Sequence, residues 1–277
     1  MRKSFAFILG AVFALIFLPE ASAQIRRDND KVAEISVEEA AKRWRDFSGS
    51  KIAGDYCMTF TIAHRPRKGD ETRYEGEIFG TVRGGATLTR IRVKSLGAPD
   101  SEYADFILAN SPRGSSVFRA ESGKFVKVPE ADWFKPLFAG LVYSPFDLLM
   151  PYVNWGAAYV GAQRMGQAVY VYDLATPANF SKEISKVRAA ITREFNSPAQ
   201  TQIFSTGGDS LKTVSLGSVK KVDGLWIMYE AEARDDVSRD KDKLRFREAK
   251  LNAVLDGSIF DAGAPVSSPA RPDLKRL

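Results

Sequence analysis

The sequence predicts a mainly β chain of the α+β class: one strongly curved antiparallel sheet of about ten to twelve strands, an N-terminal helix, and a short helical lid inserted mid-chain. Three observations carry this. From Asp55 onward apolar and polar residues alternate at period two, interrupted by short turns rich in Gly, Asn and Pro. Ahead of them, Ser36-Val37-Glu38-Glu39 is a capping box, with Ser at the cap and Glu three residues on. Between two blocks of strands stands Y-S-P-F-D-L-L-M-P-Y-V-N-W, residues 143–155, which is apolar nearly all round and therefore cannot lie with one face in water.

The first residues read as an export leader. Arg2 and Lys3 precede an apolar run from Phe5 to Leu18, Pro19 breaks it, and Ala21-Ser22-Ala23 matches the small-x-small cleavage pattern, so residues 1–23 are expected to be removed. Residues 24–260 are expected to form a single domain. Its first helix, about Val37 to Phe47, sets Val37, Ala40, Ala41, Trp44 and Phe47 in a stripe for packing on the sheet. Strands follow over 56–63, 72–82, 86–96, 103–109, 115–121 and 124–128. Two short helices then make the lid, about residues 130–155; Ser144 caps the second, Pro145 suits its first position, and Pro151 stops it. Strands resume over 159–165, 167–174, 187–195, 201–206, 211–222, 225–234 and 243–254. Pro265, Pro269 and Pro272 among small and charged residues mark 261–277 as a disordered tail.

Catalytic and metal chemistry find little support. His64 is the single histidine and reads as a solvated turn residue beside Arg65 and Arg67. Cys57 is the single cysteine, so no intrachain disulfide forms, and its place among core residues makes it a small buried thiol. Glu75 and Glu77 share a strand face and could act as paired carboxylates, but a solvated face opposite Arg90, Arg92 and Lys94 is the plainer reading. The run Asp235 to Lys243 has clustered Asp without the Gly and final Glu of a calcium loop, and reads as a mobile charged turn. Neither metal nor cofactor is expected. The net charge of +6 is scattered, without the arginine-rich stripe that nucleic acid requires.

Aromatic residues are 11 % of the chain and concentrate in the insert. Two readings follow: a plug for a large sheet, or a lid over a lined hydrophobic cavity. Strand alternation makes Met58, Phe60, Ile62, Ile78, Ile91, Phe106, Leu148, Leu149, Tyr152, Trp155 and Trp226 the candidate lipid-binding lining.

These pieces resemble the outer-membrane lipoprotein-sorting superfamily (LolA/LolB-like), in particular its larger members. The resemblance rests on residues 143–155, Tyr159-Val160-Gly161, V-Y-V-Y-D-L at 169–174, K-K-V-D-G-L-W-I-M-Y at 220–229 and L-N-A-V-L-D-G-S-I-F at 251–260. It covers the second half of the chain by motif and the first by architecture. It implies an unclosed β-barrel whose helix-covered face shelters lipoprotein acyl chains or other lipid in the periplasm, without enzymatic activity. The partners it implies are an inner-membrane transporter and an outer-membrane acceptor, with no nucleic acid. It also implies an arginine that latches the lid, for which Arg83, Arg90 and Arg92 are candidates by type. The rival readings are an interaction subunit of an envelope transporter with a collapsed pocket, and a glycan hydrolase using Glu75 and Glu77.

Overall fold

The computed structural model describes residues 9–10, 12–15, 32–52 and 54–277; the expected cleavage site at Ala23 lies outside them. Helix α1 is Val37–Ser48, and the Ser36 hydroxyl accepts from the Glu39 N–H at 3.2 Å, as the capping box requires. Its stripe is narrower than expected. Ala40, Trp44 and Phe47 are buried, while Val37 in the first turn is 71 % exposed. The Trp44 ring packs 5.1 Å from Tyr172, whose hydroxyl donates to the Ala40 carbonyl.

Six antiparallel strands come before the insert: β1 Asp55–Arg65, β2 Thr72–Arg83, β3 Ala86–Ser95, β4 Ala104–Ser111, β5 Gly114–Glu121 and β6 Lys124–Lys127. Seven come after it: β7 Ala157–Met165, β8 Gln167–Ala175, β9 Ile184–Thr192, β10 Pro198–Ser205, β11 Ser210–Val222, β12 Leu225–Asp235 and β13 Lys241–Ala253. Every run read as a strand is one, with ends moved by a few residues. The two blocks thus hold thirteen strands where the turn spacing suggested about ten to twelve. Each block is a meander of neighbours, and the first strand pairs with the last, giving the order β6-β5-β4-β3-β2-β1-β13-β12-β11-β10-β9-β8-β7. The sheet is antiparallel and does not close into a barrel, as expected. Its free edges, β6 and β7, are consecutive in sequence, so residues 128–156 must cross from one edge to the other.

That crossing segment holds a single α-helix, α2 Pro145–Leu149, between 3-10 turns at Glu130–Asp132 and Pro151–Asn154. The first of the two expected lid helices is thus only a turn: Pro136 lacks the N–H that its continuation needs, and its ring would meet the Asp132 carbonyl. Pro151 ends α2 as expected, leaving Met150 in the left-handed region at φ 49°. A non-glycine residue there carries strain of about 1 kcal/mol or more.

The core lies between this segment, α1 and one face of the sheet. Two glycines of β2 make room for it. A Cβ on Gly76 would fall 2.3 Å from the Phe60 ring, and one on Gly80 would fall 1.9 Å from the Tyr56 ring, so both aromatic rings lie against bare backbone. Across the central ladder Phe60 meets Phe246 edge to face.

The other face of β1–β4 is covered as well, which corrects two expectations. Residues 261–277, expected to be a disordered tail, are laid along it. Leu255, Ile259 and Phe260 pack on Cys57 and Phe79, with Leu274 against them, and Lys275–Arg276 forms β14, which pairs with β13. Most of the charged face is therefore buried, at Glu77, Arg90, Arg92, Lys94 and Asp105, while Glu75 stays 34 % exposed beside an open groove of about 590 Å³. Glu77 is fully buried between Arg92 and Arg271, and Arg90 grips Asp105 through two bonds of 2.9 and 2.6 Å while also donating to the Ser267 carbonyl. The tail is ordered because it neutralises a carboxylate that the strand pattern had turned away from the main core. Cys57 lies beneath it, with its thiol pushed up to about 12 chiefly by burial. Because Arg271 is about half exposed, Arg271→Ala is expected to lower unfolding free energy by only about 1–2 kcal/mol, read as a lower urea midpoint with unchanged slope.

Candidate functional site

The insert presents its apolar side chains to the face of the sheet that the sequence assigned to lipid. Met58, Phe60, Ile62, Ile78, Ile91, Phe106, Leu148, Leu149 and Tyr152 are buried in one cluster, and half-buried Trp155 packs against it. Trp226 does not join them; it sits half-buried near the start of β12, opposite Lys221 of β11. Within the insert, Phe146 is ringed by Phe134, Tyr152, Trp155 and Phe180 at centroid distances of 4.4 to 6.2 Å.

Directly beneath α2 the described residues pack closely: a cavity between Phe146, Tyr152, Thr201, Val214 and Ala231 measures about 20 Å³, room for one water molecule. Open grooves lie instead at the insert's margin. One of about 470 Å³ runs between Ala104, Ala120 and the stretch Pro136-Leu137-Phe138; a second, of about 230 Å³, runs between Phe106, Val126, Val128 and Pro145. Both border Pro136 and Arg119, whose guanidinium lies over the Phe106 ring. The expected hollow is therefore displaced from under residues 143–155 toward the first half of the insert.

What holds the insert is polar, and sequence reasoning missed most of it. Asp242 of β13 is fully buried and accepts the N–H groups of Val142 and Tyr143 at 2.6 and 2.9 Å, with His64 Nδ1 at 2.8 Å from its other oxygen. Lys212 of β11 donates to the Val142 carbonyl and to Asp147, both at 2.8 Å. The Asp147 carboxylate also accepts the N–H and hydroxyl of Ser144, completing the cap. Asn110 of β4 donates to the Leu149 carbonyl at 2.7 Å, and the Tyr74 hydroxyl to the Ala139 carbonyl at 3.0 Å. These bonds satisfy the backbone of a segment that forms no ladder of its own.

His64 is thus a buried partner of Asp242 and not a solvated turn residue. The Asp235–Lys243 run is likewise only in part a mobile turn, because its penultimate residue is the anchor. A signal was present: alternation in β13 sets Asp242 on the same face as Leu244 and Phe246, and extending the strand by two residues would have shown a carboxylate on the core side. The three arginines considered as latches are elsewhere. Arg90 and Arg92 pair with Asp105 and Glu77 under the tail, and Arg83 lies over the Phe260 ring. Among the described residues no group of three or more His, Cys, Asp or Glu side chains could hold a metal ion.

Burial raises the Asp242 carboxyl above its ordinary 3.8, against the opposing pull of the two N–H groups and His64. A carboxyl held protonated longer in the folded chain favours folding below its unfolded value, and that contribution is lost as pH rises through the folded value. The difference in unfolding free energy between wild type and Asp242→Asn should therefore shrink as pH rises from just below 3.8, measured by urea denaturation across that window. Asp242→Ala leaves two N–H groups buried without acceptors and should cost about 2–4 kcal/mol.

No family model matches the sequence, and no curated protein matches it. Solved structures do match. An outer-membrane lipoprotein-sorting protein domain from Vibrio parahaemolyticus aligns with TM-score 0.65 at 13 % identity, over 81 % of this chain and 94 % of that one. A DUF1329 family protein from Desulfovibrio piger gives 0.70 at 9 % identity, covering 81 % and 97 %. A LolA superfamily protein from Nitrosomonas europaea gives 0.59 at 13 % identity, covering 82 % and 98 %. The fold of this chain, an open antiparallel sheet crossed by a mid-chain helical insert, is the LolA-like fold that its sequence resembles.

Proposed function

We propose that this chain is a non-enzymatic carrier in the bacterial periplasm that shelters the acyl chains of lipoproteins, or other lipid, between its insert and its sheet. The observation that carries the reading is the construction of the insert. It is a proline-broken apolar segment tied to the sheet by a handful of hydrogen bonds and one buried ion pair, beside an unfilled groove of about 470 Å³. Hydrocarbon entering the groove would gain about 0.8 kcal/mol for each methylene buried, so a few methylenes match the cost of releasing Asp242 or Lys212 from the backbone they hold. Proline flanks and the left-handed Met150 support flexing at the ends of α2. The LolA-like fold of proteins that include a lipoprotein-sorting domain supports this assignment. Among the described residues no helix is long and apolar enough to cross a membrane. An inner-membrane transporter as donor and an outer-membrane acceptor are the partners this role calls for.

The filled space under α2 favours a second reading, an interaction subunit of an envelope transporter that carries no lipid. The two separate by experiment. Under the carrier reading, native mass spectrometry of protein purified from the envelope shows co-purifying lipid or acylated peptide, and the protein takes up a fluorescent fatty acid. Leu149→Asp should reduce that uptake at least about tenfold, and Asp242→Ala, which leaves the Val142 and Tyr143 N–H groups without their acceptor and so loosens the insert, should speed it. A spectrum free of lipid together with no uptake by wild type would leave the interaction subunit.

A further inference from the structure

The ladder between β12 and β13 stops early, and the sheet forks there. It runs from Arg234 opposite Lys241 to Glu230 opposite Arg245 and no further. Beyond that point β12 continues along β11 to Leu225, and β13 continues along β1 to Ala253. Leu225–Tyr229 and Phe246–Ala253 therefore face each other across a gap as two main-chain edges. Each is met by a strand from one end of the chain. From the C-terminus, β14 pairs Lys275 with Ala249 and Arg276 with Glu248, and the Leu277 N–H donates to the Arg247 carbonyl at 2.8 Å. From the N-terminus, the extended stretch Val12–Leu15 pairs with β12, Leu15 opposite Trp226 and Ala14 opposite Ile227. The first of these strands belongs to the body of the chain. The second lies in the segment that the sequence marks as a removable leader.

We propose that, once residues 1–23 are removed, the Leu225–Tyr229 edge is a strand-addition site for an extended apolar segment of a partner polypeptide flanked by acidic residues. The apolar part follows from V-F-A-L, the sequence that the edge accepts from its own chain. The acidic flanks follow from the rim. Lys220 and Lys221 at the end of β11 are exposed, as are Arg247 and Arg276, while Lys275 is held by Asp223 at 2.6 Å. An open edge of apolar strand invites indiscriminate pairing, and a basic rim limits it to acid-flanked segments. On the opposite prong the tail pairs with Glu248 and Ala249 and bonds to the Arg247 carbonyl. The site is independent of the insert and of any lipid.

The test uses the chain from Gln24 onward and the acetylated peptide Glu-Glu-Val-Phe-Ala-Leu-Glu-Glu, with binding followed by tryptophan fluorescence and by calorimetry. Saturable binding is expected. N-methylation of alternate peptide nitrogens, which removes ladder donors and keeps the side chains, should weaken it at least about tenfold. Replacing the four Glu by Lys should do the same, and the precursor with its leader retained should bind at least about tenfold more weakly than the mature chain. Absence of saturable binding, or equal affinity for the N-methylated peptide, overturns strand addition. Equal affinity for the lysine-flanked peptide overturns the acidic partner. A mature chain that dimerises and loses peptide binding on dimerising assigns the edge to a second copy and also overturns the proposal.

Discussion

An open curved sheet with one apolar face cannot stand in water uncovered, and that constraint governs the whole molecule. The two free edges, β6 and β7, are neighbours in sequence, so the segment joining them must cross the apolar face, and it has become the cover. Crossing without strands or long helices leaves its backbone short of partners. The sheet supplies them from side chains: Asp242 and Lys212 on one side, Asn110 and Tyr74 on the other. Apolar contact makes the cover adhere; buried polar groups determine where it sits. Polar anchors suit a cover that moves, because water can replace hydrogen bonds on opening more readily than it can replace close apolar packing.

The same logic shapes the opposite face. Glu77, Arg90, Arg92 and Asp105 lie outward on strands whose other side is the core, and the C-terminal segment roofs them. The central strands are thereby buried on both sides, which the antiparallel arrangement does not require. Burying charge is costly unless it is paired, and Arg271 from the tail supplies part of that pairing for Glu77.

The periodic elements were legible in the sequence because period two and turn chemistry are local. The helix cap at Ser36, the helix stop at Pro151 and the strand runs needed no tertiary information. Alternation placed Phe60 and Ile78, read as part of a lipid-binding lining, on one face, and in the structure that face is packed core. Charged residues were not legible in the same way. Asp242, His64 and Glu77 looked solvated because their burial depends on partners 99 to 194 positions away. The tail illustrates the point most plainly: its composition is that of a disordered segment, and the apolar surface at Phe79 and the second oxygen of Glu77, which Arg271 takes beside Arg92, give it a place. Trp226 was assigned to the pocket by strand alternation, whereas its strand carries it to the fork, outside the cluster.

The pairing of the first strand with the last has a consequence for how the chain matures. Thr59 and Glu248 are hydrogen-bonded across 189 positions, and the ladder they belong to is the seam between the two meanders. Until β13 has been made, β1 lacks one of its two neighbours, so the molecule cannot reach its final form during synthesis. High contact order of this kind slows folding and prolongs the time that strand edges are exposed. Such a chain stays threadable until late, and the seam is the last part of the sheet that it can close.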